Sequence, residues 1–127
     1  MKCRGIRGAT TVDANSREDI LAATKGLLQQ MVSANGVEAE DVACILFTTT
    51  LDLDAEFPAA AARELGFSQT PLLCGHEMNV PGSLPMCVRI LMLFNTEKSA
   101  EQIIHVYTKG AQGLRSINSD KKGSLEG

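Results

Sequence analysis

Apolar side chains change their spacing several times along the chain, and each change marks an element. Residues 3–12 read as a first strand. Strand alternation puts Arg4, Ile6 and Thr10 on one face and Arg7 on the other, while Gly5 and Gly8 let a neighbouring group come close to the backbone. The period then lengthens. Ile20, Thr24, Leu27, Leu28 and Met31 recur at helical spacing, so a helix over 17–34 with one buried side is predicted. Ser16 can cap its start, with Asp19 three residues on. Asn35-Gly36 is a stop signal, because glycine accepts the left-handed conformation in which helices commonly end.

Residues 42–50 are almost continuously apolar or β-branched, as in a strand buried on both faces. The stretch 51–57 carries Asp52, Asp54 and Glu56 and reads as a loop. Pro58 suits the first turn of a short helix that runs through Leu65 and is closed by Gly66. A short strand over 70–74, a loop over 75–83 with a Pro81-Gly82 turn, a buried strand over 86–94 and a last strand over 103–107 complete the pattern. The sum is an α+β chain of about five strands, one long helix and one short helix. One long helix can cover only one sheet face. Strands this apolar need cover on the other face too, and further copies of the chain are the economical cover, so an oligomer is expected.

Length and composition narrow this picture. The 127 residues suit a single domain, expected over 1–115. Beyond Arg115 the chain turns polar and has too little apolar content to pack, so 116–127 is expected to be a mobile tail. A formal net charge of -3 and an aromatic content of 4% without Trp argue against a phosphate-tracking or base-stacking surface, so no nucleic-acid partner is expected. No apolar run reaches membrane-spanning length, and Met1-Lys2-Cys3-Arg4 lacks the apolar core of a signal peptide. Cys3, Cys44, Cys74 and Cys87 form no Cys-x-x-Cys pair, and three of them lie in apolar strand-like runs. That fits reduced thiols in a cytoplasmic protein.

Candidate chemistry begins with Arg89. The run Met86-Cys87-Val88-Arg89-Ile90-Leu91-Met92 sets one charge among apolar neighbours, and burying an unpaired charge is costly. Spacing alone leaves two readings open: an exposed or ion-paired strand arginine, or a fixed guanidinium aimed into a pocket. Glu77, Arg7, Arg63 and Tyr107 have equally plain alternatives, respectively a solvated loop carboxylate, two surface arginines and a core tyrosine. Cys74 and His76 are too few ligands for a metal site, and a zinc-protease helix would need a second histidine where Val80 stands. Nothing in the spacing pairs a nucleophile with His76 or His105. Arginines, one glutamate and one tyrosine suit the binding of a multiply charged anion, not covalent catalysis.

Taken in order, several stretches resemble the barrel-type chorismate mutases over nearly the whole chain. They are Arg4-Gly5-Ile6-Arg7-Gly8-Ala9-Thr10-Thr11, Phe57-Pro58-Ala59 with Arg63-Glu64-Leu65, Cys74 with Glu77-Met78, Cys87-Val88-Arg89, and His105-Val106-Tyr107 before Leu114-Arg115. The resemblance implies a mixed sheet that trimerises into a pseudo-α/β barrel, with three sites at subunit interfaces. It implies a cofactor-free, metal-free rearrangement of chorismate to prephenate. It also implies roles: Arg7 and Tyr107 on a substrate carboxylate, Arg89 on the ether oxygen and a carboxylate, and Glu77 accepting from the ring hydroxyl with Cys74 beside it. Phe57, Ala59 and Arg63 would come from the neighbouring subunit, and Leu114 and Arg115 would lie near the mouth. Two positions depart from the pattern: Ala60 stands where some relatives carry lysine, and Leu73 where some carry a small polar residue. The alternatives are an imine deaminase-like trimeric enzyme and a non-catalytic sensor of small dianions.

Overall fold

The computed structural model describes residues 1–114, so Arg115 and the expected tail over 116–127 lie outside the described residues. The run with helical spacing folds as α1 (Arg17–Asn35). Ser16, in extended conformation, accepts a hydrogen bond from the Asp19 N–H at 3.1 Å, and Gly36 ends the helix in the left-handed conformation at φ 61°. Ser16→Ala is expected to lower stability by about 1 kcal/mol. A shift in the denaturant midpoint measures this; an unmoved midpoint means that water replaces the cap.

Five strands form one mixed sheet: β1 (Lys2–Thr11), β2 (Val42–Thr49), β3 (Leu72–His76), β4 (Cys87–Thr96) and β5 (Val106–Tyr107). Their spatial order is β3-β2-β4-β1-β5. β4 lies at the centre and pairs antiparallel with both β1 and β2, while β3 and β5 add parallel strands at the two edges. α1 and the short α2 (Ala59–Glu64) cover one face. Ile20, Leu27, Leu28 and Met31 of α1 are buried, as their spacing predicts, and the core cluster joins Leu27, Leu28 and Met31 to Ile6, Ile45, Phe47, Ile90 and Met92. Burying each such side chain contributes about 1.5–3 kcal/mol. A Cβ at Gly8 would sit 2.4 Å from the Met31 sulfur, so this glycine lets the helix lie close on β1.

The structure departs from the sequence reading at several places, β4 among them, which runs to Thr96, two residues past the expected end. β3 begins and ends two residues later than predicted, taking in Gly75 and His76, because the parallel ladder with β2 continues through Thr48–Gly75 and Thr49–His76. The last strand shrinks from the expected 103–107 to Val106–Tyr107. The buried Asn35 side chain takes the place of a strand partner before it: Asn35 Oδ1 accepts from the Ile104 N–H at 2.8 Å, and Nδ2 donates to the Ile104 carbonyl at 2.9 Å. Three short 3-10 turns, Ala39–Asp41, Ala100–Gln102 and Lys109–Ala111, fall where no regular element is expected. No helix among the described residues is long and apolar enough to cross a membrane.

Candidate active site

The sheet face away from α1 is only partly covered, and it gathers several of the candidate residues. Cross-strand register sorts its side chains into rows, since directly paired residues point to the same side. One row runs Leu73, Leu46, Leu91, Arg7 across β3, β2, β4 and β1. The next runs Gly75, Thr48, Arg89, Ala9, Tyr107. A cleft of about 390 Å³ lies over both rows, lined by Arg7, Leu46, Thr48, Glu77, Arg89, Leu91 and Tyr107, among others.

Each polar group is delivered by an identifiable piece of backbone. Glu77 directly follows β3, and its N–H donates to the Thr49 carbonyl at 2.8 Å, so the ladder with β2 ends on it. The Thr48 hydroxyl donates to Glu77 Oε2. Arg89 Nε lies 3.8 Å from the same carboxylate oxygen, and both side chains are about one-third exposed. Three and two residues upstream of Arg89, the Asp52 carboxylate accepts from the Met86 N–H and the Thr50 hydroxyl accepts from the Cys87 N–H, both at 3.0 Å. Met86 has φ 52°, a left-handed backbone costing roughly 1–2 kcal/mol for a non-glycine residue, and the Asp52 bond holds it there. The Asp52–Thr50 pair thus sets where β4, and with it Arg89, begins.

The electrostatics favour an anion. Two guanidiniums face one carboxylate in the cleft, and among the described residues Arg7 makes no salt bridge. Behind Arg7, its backbone N–H donates to His105 Nδ1 at 2.9 Å. Burial pushes the His105 imidazolium pKa down, and the Arg7 charge adds to that. Burial likewise pushes the Cys87 thiol up, against the opposing pull of Arg89. A thiol that stays protonated is no nucleophile near neutral pH.

The other residues singled out from sequence fall into separate places. Cys74 pairs with Phe47 and packs against the helix-side core, on the face opposite Glu77. It lines a second cleft of about 300 Å³ with Leu53, Glu56, Phe57, Pro58 and His76. Phe57 is 70% exposed there. Ala59 is 3% exposed and packs in the core, where it seats α2. Arg63 is exposed on α2 beside Phe67, Thr70 and Leu72, apart from the Arg89 cleft. Leu114 packs with Tyr107 against Ala9, Cys87 and Ala111, so the chain after β5 folds over one end of the open face. Within one chain the structure therefore joins Arg7, Glu77, Arg89 and Tyr107, sets Leu114 beside them, and leaves Phe57, Cys74 and Arg63 elsewhere. Sequence reasoning missed Thr48, Asn35, the Thr50–Asp52 clamp and the His105 acceptor. Short polar side chains that bond across the sheet leave no periodic trace in the sequence.

Comparison with known proteins gives this arrangement a family. Residues 3–117 match the family model described as chorismate mutase type I. The chain is 47% identical over 113 residues to chorismate mutase AroH of Thermus thermophilus, covering 88% of this chain and 93% of the relative. It is 45% identical over 116 residues to chorismate mutase AroH of Bacillus subtilis, covering 91% of each. Among solved structures, a chorismate mutase from Clostridium thermocellum superposes with a TM-score of 0.86 at 50% identity, covering 87% of this chain and 98% of the other. A match across almost the whole length, on a sheet whose open face gathers two arginines, a glutamate and a tyrosine, leaves one assignment: the chain belongs to the type I chorismate mutases.

Proposed function

We propose that chorismate is rearranged to prephenate in the cleft of Arg7, Glu77, Arg89 and Tyr107, and that a neighbouring copy in a homotrimer closes this cleft. The family makes the chain an isomerase of aromatic amino-acid biosynthesis. One observation carries the site: among the described residues, the charged groups lining the cleft are Arg7, Arg89 and Glu77, gathered on one open sheet face.

The reaction is a one-step pericyclic shift in which a carbon–oxygen bond breaks while a carbon–carbon bond forms. It requires no proton transfer, no nucleophile and no cofactor. The protein's part is to hold a compact conformer and to stabilise charge that develops on the way. The ether oxygen gains negative charge as its bond stretches, and the Arg89 guanidinium is the donor for it. A planar fork whose charge persists also suits the carboxylates of the dianion, which assigns Arg7 and Tyr107 to one of them. Glu77, anchored by Thr48, accepts from the ring hydroxyl and complements the electron-poor carbon fragment. Leu114, packed with Tyr107, borders the mouth.

Two observations support the trimer. Leu73, 64% exposed, and Leu91, 38% exposed, sit in one apolar row of the open face with Leu46 between them. Cover for such a face is most economical as further copies of the same chain. Phe57 and Arg63 stand away from the Arg89 cleft of their own chain and are exposed to a neighbour. The reading takes residues 1–115 as the catalytic domain. The four free thiols support a reducing, cytoplasmic setting.

The direct test adds purified protein to chorismate without metal or cofactor and follows chorismate loss and prephenate formation. Rapid conversion is expected; binding without turnover would sink the reading in favour of a sensor. For the interface, Arg63→Ala is expected to raise KM about tenfold, the scale of one charge-assisted hydrogen bond, with the trimer intact. Unchanged kinetics would remove Arg63 from the site.

A further inference from the structure

His105 is the one imidazole bonded to a residue of the cleft, and the reaction proposed above gives it no part. It precedes β5, whose two residues pair with Gly8 and Ala9 of β1. Immediately before that pairing, the Arg7 N–H points at the edge where a longer β5 would supply a carbonyl. The His105 ring occupies that position, with Nδ1 2.9 Å from the Arg7 nitrogen. The ring is itself held from behind. Asn35, 1% exposed, bonds both the N–H and the carbonyl of Ile104 and donates to the Met31 carbonyl at 2.9 Å, tying the residue before His105 to the end of α1.

We propose that His105 is a positioning residue for substrate binding: its Nδ1 accepts the Arg7 backbone N–H and so fixes the place from which the Arg7 guanidinium meets a substrate carboxylate. The inference rests on the reading of Arg7 given under Proposed function. An imidazole can accept at Nδ1 only when that nitrogen carries no proton, which makes the neutral ring with its proton on Nε2 the competent form. Burial and the Arg7 charge both favour the neutral ring. A backbone N–H in a half-buried strand that loses its acceptor must find another or shift, and a shift at Arg7 moves the cation along with it. The effect falls on ground-state binding and transition-state binding alike, because the carboxylate is held throughout the reaction. KM therefore moves and kcat does not.

The test uses three substitutions in the full-length protein, each checked for melting temperature and assembly. Asparagine can set an acceptor oxygen close to the position of Nδ1, glutamine sets one nearer Nε2, and leucine offers none. His105→Leu is expected to raise KM about tenfold with kcat within about twofold, the scale of one buried donor left unpaired. His105→Asn is expected to restore KM to within about twofold of the original, and His105→Gln is expected not to. If His105→Leu fails to fold, the comparison of Asn with Gln carries the test. KM unchanged in His105→Leu, or Asn and Gln behaving alike, overturns the proposal. Arg7→Ala, measured in parallel, separates the two levels. If it leaves KM unmoved, the reading of Arg7 fails; if it raises KM while the His105 variants behave normally, only the positioning role fails.

Discussion

Arg89→Ala is expected to lower kcat by at least about 10²-fold, the scale of losing one preplaced donor to a developing oxyanion. The cation sits at the centre of the sheet, between Thr48 and Ala9, on the strand that pairs on both sides. A strand held by two ladders has little freedom to move, so the guanidinium is set before substrate arrives. Preorganisation of this kind matters most at the ether oxygen, where the charge appears only in the transition state. Arg89→Lys is expected to fail nearly as badly, because one ammonium cannot reproduce the planar fork that reaches both the oxygen and a carboxylate. Removing Arg89 also leaves Glu77 without its cation, next to an incoming dianion. KM should therefore rise in Arg89→Ala, and adding Glu77→Gln should relieve that rise while leaving kcat low. The measurement is steady-state kinetics on chorismate for the single and double variants. A near-normal kcat in Arg89→Ala or Arg89→Lys would remove Arg89 from the reacting oxygen.

On the homotrimer proposed above, Leu93→Glu is expected to yield monomers and to abolish turnover with the assembly. Leu93 lies on the open sheet face, in register with Gly5 and Cys44, one row away from Leu91 and outside the lining of the Arg89 cleft. Covering a leucine contributes about 1.5–3 kcal/mol. Burying an unpaired carboxylate in its place costs several kcal/mol instead, and three-fold symmetry repeats that cost at every interface. Sedimentation reports the assembly and chorismate turnover the activity. A monomer should lose at least about 10²-fold in kcat/KM, because substrate positioning then lacks the neighbour's Phe57 and Arg63. Leu93→Met, similar in volume, should remain trimeric and active. A Leu93→Glu variant that stays trimeric, or a monomer with full activity, would overturn the shared-site reading.

The local elements were largely readable before any coordinates. α1 declares itself through five apolar or small positions on one side and a serine cap, and β2 and β4 through β-branched and apolar runs, because backbone geometry imposes those periods whatever the rest of the chain does. The bare half of the sheet was legible too, since one long helix cannot cover two faces. Arg89 stood out as one charge within an apolar run, though spacing alone left it open between an exposed or ion-paired strand arginine and a guanidinium aimed into a pocket. The family motifs then named Arg7, Glu77 and Tyr107.

What tertiary structure decided is which of these groups meet. Arg7 and Tyr107 are a hundred positions apart in the chain, and only the registers of β1 with β4 and with β5 bring Tyr107 into the row of Arg89 and Arg7 into the row beside it. The register of β2 with β3 likewise turned Cys74 to the helix side and shifted β3 two residues on to take in Gly75 and His76, residues whose own preferences suggest a loop. The shortening of β5 was hidden for a different reason. Asn35 and His105 use side chains where a strand would use its backbone, and a hydrogen bond of that kind needs only one polar residue at one point in space. Periodicity records what is repeated along the chain; a single polar contact between distant segments repeats nothing, so only the folded backbone can reveal it.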